Sequence, residues 1–306
     1  MGKAIEVEGL TKTYGAVTAV DDISFTVEEG AVFAFLGPNG AGKTTTVEII
    51  EMIRTADVGT IRVLGSDITR QPAAIKENIG VLPQEFQSFE RLTVRETITY
   101  FAKLYRRHAD IDRIIDLMDL RDKEHDLYRN LSGGLKQRVG VGIALVNDPD
   151  IVFLDEPTTG LDPKARRDVW NAIAGLREEG KTVFLTTHYM EEAEYLADHI
   201  AIIHRGRIVA EGSLDDLIQQ YGGKSVLSIR GTKTDEVMVA LRDKGYDARA
   251  RDSTVEVKLD KKDAVIDILF HLREQGLYYR EVDIKHSDLE DVFLNITGTS
   301  LKEGDE

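Results

Sequence analysis

The 306-residue sequence contains no cysteine, which excludes a disulfide framework and any metal site built from thiolates. No apolar run approaches the roughly 20 residues that a membrane-spanning helix needs, so we expect that the chain does not cross a membrane by itself. The N-terminus lacks the apolar region of a signal peptide, which makes a cytoplasmic location the expectation. Basic residues are in the minority, with 39 Lys and Arg against 54 Asp and Glu, and the net charge of −15 argues against a nucleic-acid partner.

A glycine-rich stretch near the N-terminus carries the strongest chemical signal. The segment GPNGAGKTT at residues 37–45 fits the pattern G-x-x-x-x-G-K-[ST] of a phosphate-binding loop. The apolar run Val32–Leu36 predicts a buried strand before it, and residues 45–53 predict a helix after it. Glycines let backbone N–H groups turn toward phosphate oxygens, Lys43 reaches the β- and γ-phosphates, and the Thr44 hydroxyl is a ligand for Mg²⁺. The alternative, a glycine-rich turn with a chance lysine, is disfavoured by the flanking strand and helix.

Two carboxylates follow a second apolar strand. Residues 151–154 are four apolar strand formers, and Asp155 and Glu156 come directly after them. Ligands in open α/β sheets bind at the carboxyl ends of the strands, where this acidic pair is expected. Asp155 suits coordination of Mg²⁺, and Glu156 suits orienting or deprotonating the attacking water. Two adjacent carboxylates without a ligand would repel each other, so a purely structural role is the less favoured interpretation.

Four further polar or aromatic features lie near predicted strand ends and helix starts. Gln84 and His188 each end a predicted strand, where the first can contact Mg²⁺ or water and the second a γ-phosphate. Ser132 is a predicted N-cap, and the segment SGG at residues 132–134 can form a second anion site with its free N–H groups. Tyr14 offers a ring on which adenine can stack. Each feature also has a structural interpretation, as a loop glutamine, a packed histidine or tyrosine, or a simple turn.

The remaining pattern predicts two domains. Residues 1–222 form an α/β domain, in which the apolar spacing over about residues 86–147 predicts a mostly helical insert. A pair of glycines marks the boundary, and residues 223–298 follow with the ferredoxin-like order βαββαβ and a last short helix at 289–296. The sequence of this second domain contains no motif that indicates chemistry of its own, which favours a structural or regulatory role. The acidic tail, residues 299–306, is expected to be disordered.

Taken together, the motifs resemble the ATP-binding subunit of an ABC transporter over about the first 220 residues. The resemblance implies a P-loop NTPase fold, with a RecA-like core, an antiparallel β-subdomain and a helical subdomain, followed by the small α+β ferredoxin-like domain. Leu135 stands where the family most often has glutamine in its signature sequence, but the serine and glycines before it are intact. Residues 288–298 resemble the C-terminus of the daunorubicin-resistance type of exporter ATPase, which favours export over import.

The resemblance also implies roles for individual residues. It gives four catalytic residues, which are Glu156, His188, Lys43 and Gln84. It gives three ligands of Mg²⁺, which are Thr44, Gln84 and Asp155. The residues that it implies for contact with ATP are Tyr14, Gly37, Asn39, Gly40, Gly42, Lys43, Thr44, Thr45, Ser132, Gly133, Gly134, Gln137 and Asp162.

Because each motif occurs once, the resemblance implies a head-to-tail homodimer that encloses two MgATP, with the signature of one copy completing the site of the other. Separate transmembrane permease subunits would hold this dimer at the cytoplasmic face of the cell membrane, as a peripheral protein. We expect the permease contact near Phe86, Phe89 and Leu92, although these residues fit a buried core equally well. The transported cargo is not predicted.

Three other classes of protein share part of this pattern. A non-transport ABC ATPase of translation would resemble two cassettes in one chain, and one of DNA repair would carry a long coiled coil or zinc-binding cysteines between its motifs. A P-loop kinase or nucleotide switch leaves Gln84, His188 and the SGG segment unexplained. A nonenzymatic nucleotide-binding module is disfavoured by the presence of Glu156.

Overall fold

The computed structural model of the chain describes residues 2–231, 233–259 and 264–298. They divide into two compact units, with the division between residues 216 and 217. The domain boundary that the sequence predicts after residue 222 stays a prediction. The tail for which disorder is expected, residues 299–306, lies outside the described residues.

The first unit contains both strands and helices. Its strands are β1 (Lys3–Tyr14), β2 (Val17–Glu28), β3 (Val32–Leu36), β4 (Val58–Val63), β5 (Ser66–Asp67), β6 (Ile79–Leu82), β7 (Ile151–Asp155), β8 (Thr182–Thr187), β9 (His199–His204) and β10 (Arg207–Gly212). Its helices are α1 (Lys43–Ile50), α2 (Pro72–Lys76), α3 (Val94–Ala102), α4 (Ile111–Leu117), α5 (Gly133–Ala144), α6 (Pro163–Glu178) and α7 (Met190–Leu196), and the division falls within α8 (Leu214–Tyr221). Across the described residues, no helix combines the length and the apolar character that a bilayer requires.

The central sheet places the predicted motifs at one edge. Its strand order is β10-β9-β3-β8-β7-β6, in which β3 pairs in parallel with β8 and β9, and β7 pairs in parallel with β6 and β8. All residues of β3, β7 and β8 are buried, as expected for parallel strands that are covered on both faces. Because parallel strands end at the same edge, the segments after β6, β3, β7 and β8 come together. These segments carry, respectively, Gln84, residues 37–45, Glu156 and His188.

A second, antiparallel sheet packs against the first through aromatic side chains. Its strand order is β2-β1-β4-β5. The ring centroid of Phe25 on β2 lies 5.3 Å from that of Phe33 on β3, which in turn lies 5.2 Å from that of Phe184 on β8. Strand β1 extends to Tyr14, because its pairing with β2 continues to the Tyr14–Val17 pair. The layered arrangement is the P-loop NTPase fold that the motifs predict.

The predicted helical insert contains α3, α4 and α5, joined by loops and two short 3₁₀ turns. Helix α3 begins with a capping box, in which Thr93 and Glu96 satisfy each other's backbone N–H groups. Helix α5 begins after Ser132, whose hydroxyl accepts from the backbone N–H of Leu135 at 3.4 Å. The predicted N-cap is therefore present. Apolar residues of the three helices pack into one core with those of the central sheet, including Ile98 and Ile114.

The second unit contains one four-stranded antiparallel sheet with helices packed on it. Its elements are β11 (Ser225–Arg230), α9 (Thr234–Asp243), β12 (Ala248–Arg251), β13 (Thr254–Leu259), α10 (Ala264–Glu274), β14 (Glu281–Lys285) and α11 (Leu289–Thr297). The strand order is β12-β13-β11-β14. Alternate residues of β11 and β13 are buried under α9 and α10, since one face of such a sheet covers the core. The element order is the ferredoxin-like order βαββαβ that the sequence predicts.

Candidate functional site

The phosphate loop lies between β3 and α1. Gly40 and Gly42 have φ angles of 76° and 109°, in the left-handed region where a side chain is strained. A Cβ atom on Gly37 would lie 2.3 Å from the carbonyl oxygen of Ile203 on β9, and one on Gly42 would lie 2.4 Å from that of Ala19 on β2. The loop therefore needs glycine both for its turn and for its close packing against neighbouring strands.

Helix α1 begins at Lys43, within the last three residues of this loop, so its N-terminal N–H groups supply the positive end that attracts phosphate. Asn39 and Thr44 are exposed, and Thr45 is half-buried. Lys43 is buried, with its side chain 4% exposed. Its Nζ donates to the carbonyl oxygens of Gly37 at 2.8 Å and Pro38 at 3.2 Å. The lysine is thus folded back over the loop that is predicted to hold the phosphates.

The carboxylate of Glu156 is the point at which the predicted catalytic residues meet. Its Oε1 lies 3.1 Å from Lys43 Nζ, and its Oε2 lies 3.1 Å from His188 Nδ1. Gln84 Nε2 donates to Oε2 at 3.3 Å, and the Thr159 hydroxyl donates to it at 3.2 Å. The four predicted catalytic residues therefore form one cluster at the end of the central sheet.

The pKa values of the two strand-end carboxylates are shifted in opposite directions, according to whether burial or the neighbouring groups have the larger effect. Burial by itself raises the pKa of Glu156, but the hydrogen bond with His188 and the charge of Lys43 outweigh it and lower that pKa to about 2. Burial raises the pKa of Asp155, against hydrogen bonds from the hydroxyls of Thr186 and Thr44. Glu156 is therefore an anion as long as Lys43 and His188 contact it.

Two of the three predicted Mg²⁺ ligands are in contact. The Thr44 hydroxyl is close enough to the Asp155 carboxylate to lower its pKa, whereas Gln84 is exposed and directs its amide nitrogen at Glu156. Within the described part of the chain, no group of three or more His, Cys, Asp or Glu side chains is placed to hold a metal. A hydroxyl and a carboxylate do fit Mg²⁺, because this ion takes oxygen ligands and completes its shell with water and substrate phosphates.

The residues of the predicted signature sequence, Ser132, Gly133, Gly134 and Gln137, lie at the start of α5. Ser132 and Gly133 are exposed, Gly134 is buried against Ala165 of α6, and Gln137 is half-buried. Asp162 is the N-cap of α6, and its Oδ1 accepts from the backbone N–H groups of Lys164 and Ala165, both at 3.0 Å. No hydrogen bond or ion pair between described residues joins these signature residues or Asp162 to the phosphate loop.

Tyr14 is the last residue of β1 and is 40% exposed. Lys12 Nζ lies 5.5 Å from the centre of its ring, and the Arg54 guanidinium carbon lies 5.6 Å from it. Asp57 and Glu48 hold these two cations by ion pairs. The exposed part of the Tyr14 ring is the part that a purine base could contact.

Some residues of the site are not predicted from the sequence. The Thr186 hydroxyl donates to Asp155 and accepts from the backbone N–H of Glu156 at 3.0 Å, so it fixes both carboxylates. Its position near the end of a buried strand, two residues before His188, is a sequence feature from which its place in the site could have been predicted. Glu192 is fully buried and bonded to Thr158 and Trp170. The sequence carries no such signal for Glu192, since a glutamate on an amphipathic helix is ordinarily exposed.

A glycine phosphate loop, a buried lysine, and a strand-end glutamate on a parallel sheet define the class of P-loop nucleoside triphosphatases. A protein-family model described as "ABC transporter" matches residues 20–159. The chain is 35% identical to the daunorubicin resistance ATP-binding protein DrrA3 of Streptomyces coeruleorubidus, over 96% of each chain. It is 33% identical to the linearmycin resistance ATP-binding protein LnrL of Bacillus subtilis strain 168, over 98% of this chain and 100% of the relative.

Further similarity comes from one more relative and two solved structures. The Nod factor export ATP-binding protein I of Paraburkholderia xenovorans is 37% identical, over 98% of this chain and 99% of the relative. The structure of an ATP-binding subunit of an ABC transporter is 28% identical with a TM-score of 0.62, over 71% of this chain and 93% of that one. A dimeric ATP-binding cassette in a post-hydrolysis state, bound to ADP and phosphate, is 25% identical with a TM-score of 0.60, over 68% of this chain and 98% of that one.

The chain therefore belongs to the ABC transporter family, as an ATPase whose hydrolysis is coupled to transport and which is of the export type. The predicted family and fold class are confirmed. A non-transport ATPase of translation or DNA repair is not favoured, because the similarity to export and resistance proteins extends over nearly the whole chain.

Proposed function

We propose that this chain binds MgATP with the residues of its phosphate loop and hydrolyses it at Glu156. The observation that supports this is the convergence of Lys43, Gln84 and His188 on the Glu156 carboxylate, within 3.3 Å of its oxygens. Lys43 and His188 are the groups that can stabilise a γ-phosphate, and Glu156 orients the attacking water. Thr44 and Asp155 would hold Mg²⁺, which would neutralise charge on the phosphates.

The functional assembly is a homodimer in which each ATP lies between two copies. Ser132 and Gly133 are exposed at the start of a helix, an arrangement suited to an anion that the same chain does not supply. The dimeric cassette with ADP and phosphate supports a two-copy assembly for this fold. ATP that binds the closed dimer more tightly than the open form shifts the population toward closure, and hydrolysis reverses that shift.

Complementation between two inactive variants tests both the site and its sharing. Lys43→Ala disables the phosphate loop, and Ser132→Arg blocks the signature surface. In a mixed dimer, the intact loop of the second variant faces the intact signature of the first, so one of two sites is restored. ATPase activity of the mixture above that of either variant alone is expected. Activity in the mixture no higher than in the separate variants would contradict the shared site.

The dimer acts on separate permease subunits at the cytoplasmic face of a membrane, in the direction of export. An aromatic surface in the helical insert supports a contact there, since Phe89, Tyr100 and Tyr105 are at least 40% exposed, and the Phe89 and Tyr100 rings lie 4.9 Å apart. Of the residues predicted for this contact, Phe86 and Leu92 are half-buried and Phe89 is exposed. Clusters of exposed aromatic residues are typical of protein interfaces.

Capture from detergent-solubilised membranes tests the permease contact. The wild-type chain should retain a polytopic membrane protein, and Phe89→Ser should lose it while keeping its melting temperature. Val17→Ser is the matched control, because Val17 is also an exposed apolar residue, at 66%, and lies outside the helical insert. Equal capture by Phe89→Ser and the control would place the permease contact elsewhere, and recovery of ribosomes or DNA instead would contradict transport.

A further inference from the structure

A buried carboxyl group lies behind the catalytic cluster and has no role in the site described above. Glu192, the third residue of α7, is 0% exposed. Its Oε1 accepts from the Thr158 hydroxyl at 2.7 Å and from Trp170 Nε1 at 2.9 Å. Among the described residues, none meets the geometry of a hydrogen bond to its buried Oε2, and the Thr187 hydroxyl nearby lowers the pKa of Glu192. Placing a carboxyl group in a protein interior is costly, and burial raises the pKa of Glu192. Such a group requires a reason beyond packing.

The hydrogen bond between Thr158 and Glu192 joins the two segments that carry the catalytic pair. Thr158 lies two residues after Glu156, and Glu192 lies four residues after His188. Glu156 itself has a φ of 48°, which is strained for a residue with a side chain and persists only where surrounding contacts hold it. Its backbone N–H donates to Thr186 on one side, and the Thr158 bond anchors the chain that leaves it on the other.

We propose that Glu192 is a positioning residue for ATP hydrolysis, which fastens the segment after Glu156 to the helix after His188 and so fixes the spacing of that pair. The inference rests on the roles proposed above for Glu156 and His188. The spacing that it controls is the 3.1 Å between His188 Nδ1 and Glu156 Oε2. A group that acts in this way changes the rate of the chemical step more than the binding of ATP.

Thr158→Val tests this proposal, because it removes the donated hydrogen bond and leaves the size of the side chain unchanged. We expect kcat to fall about tenfold with KM for ATP within about twofold of wild type, since small misplacements at a reacting centre are costly. Thr158→Ser, which restores the hydroxyl, should recover at least half of the lost kcat. Trp170→Phe is the matched control, because it removes the other hydrogen bond to the same oxygen but leaves the Thr158–Glu192 bond that joins the two segments, and it should change the melting temperature but not kcat.

A coupling measurement separates positioning from general stability. In a His188→Ala background, Thr158→Val should lower kcat no further, since the pair whose spacing it sets is already lost. Glu192→Ala provides the same test should Thr158→Val fail to fold. A full additional loss in that background, or equal losses of kcat in Thr158→Val and Trp170→Phe, would overturn the proposal. Should His188→Ala itself keep wild-type kcat, the role proposed for His188 fails first and the positioning role fails with it.

Discussion

The ammonium group of Lys43 lies 3.1 Å from the carboxylate of Glu156, and both side chains are at most 6% exposed. The predicted phosphate-binding lysine and the predicted catalytic glutamate therefore form a buried ion pair. A buried pair of this kind is costly to break by removing one partner, unless another charge takes its place. The γ-phosphate is such a charge, since it can accept from Lys43 and His188 in place of the carboxylate. ATP binding would then release Glu156 to orient water.

Glu156→Gln should therefore still bind MgATP but lose on the order of 100-fold or more in turnover. The amide keeps the size of the side chain and removes the negative charge that polarises the attacking water. Because hydrolysis no longer reopens the dimer, ATP should raise the apparent mass of this variant in light scattering. Near-normal hydrolysis would show that Glu156 is not the residue that handles water. A monomeric mass at saturating ATP, with hydrolysis lost, would instead count against the ATP-closed dimer.

Gly134→Ala should inactivate the chain through crowding at the start of α5. A Cβ atom at position 134 would lie 2.8 Å from the Cβ of Ala165 on α6, which is closer than two carbon atoms can approach. Helix α5 would have to shift and would carry Ser132 with it. ATPase activity should fall at least about tenfold, with the ATP affinity of the isolated chain much less affected.

The matched rescue is the double variant Gly134→Ala with Ala165→Gly, which exchanges the two side chains and reopens the space. Recovery of activity in the double variant is the expected result. An inactive double variant that melts like the wild type would mean that Gly134 is needed for direct contact with the nucleotide and not for helix packing.

Tyr14→Ala should weaken ATP binding about five- to tenfold, as expected for the loss of roughly 1 kcal/mol of ring stacking. Tyr14→Trp keeps an aromatic face and should retain the affinity. Inorganic triphosphate, which has no base, is the matched ligand, because its affinity should not change in either variant. A loss of triphosphate affinity as large as that of ATP would show that Tyr14 supports the loop and does not contact adenine.

The sequence predicts those parts of the site whose chemistry is local. Residues 37–45 and the carboxylates after β7 follow from spacing and strand patterns, and the parallel pairing of β3, β7 and β8 brings them to one edge. Features that depend on packing between distant segments are not predictable in this way. The contact of Gly134 with Ala165 and the burial of Glu192 between Thr158 and Trp170 each join segments far apart in the chain. No local pattern records such a contact.

Glu51 provides a pH test of the core beneath the phosphate loop. Its side chain, at the end of α1, is 7% exposed, and burial, with smaller contributions from the charges of Asp155 and Glu48, raises its pKa to about 8 from an ordinary 4.5. The folded chain thus holds a proton on Glu51 that the unfolded chain releases above pH 4.5. Between pH 4.5 and 8 the folded state binds more protons, so this residue makes the free energy of unfolding fall as pH rises.

Glu51→Gln should remove that dependence, because the amide stays neutral at every pH. Its gain in the free energy of unfolding over the wild type should be small at pH 5 and grow to about 3 kcal/mol at pH 7, as the pKa shift requires. Urea unfolding at several pH values, without nucleotide, measures the difference between the two chains and cancels the titration of all other groups. A difference that stays constant from pH 5 to pH 8 would show that Glu51 is ionised in the folded chain.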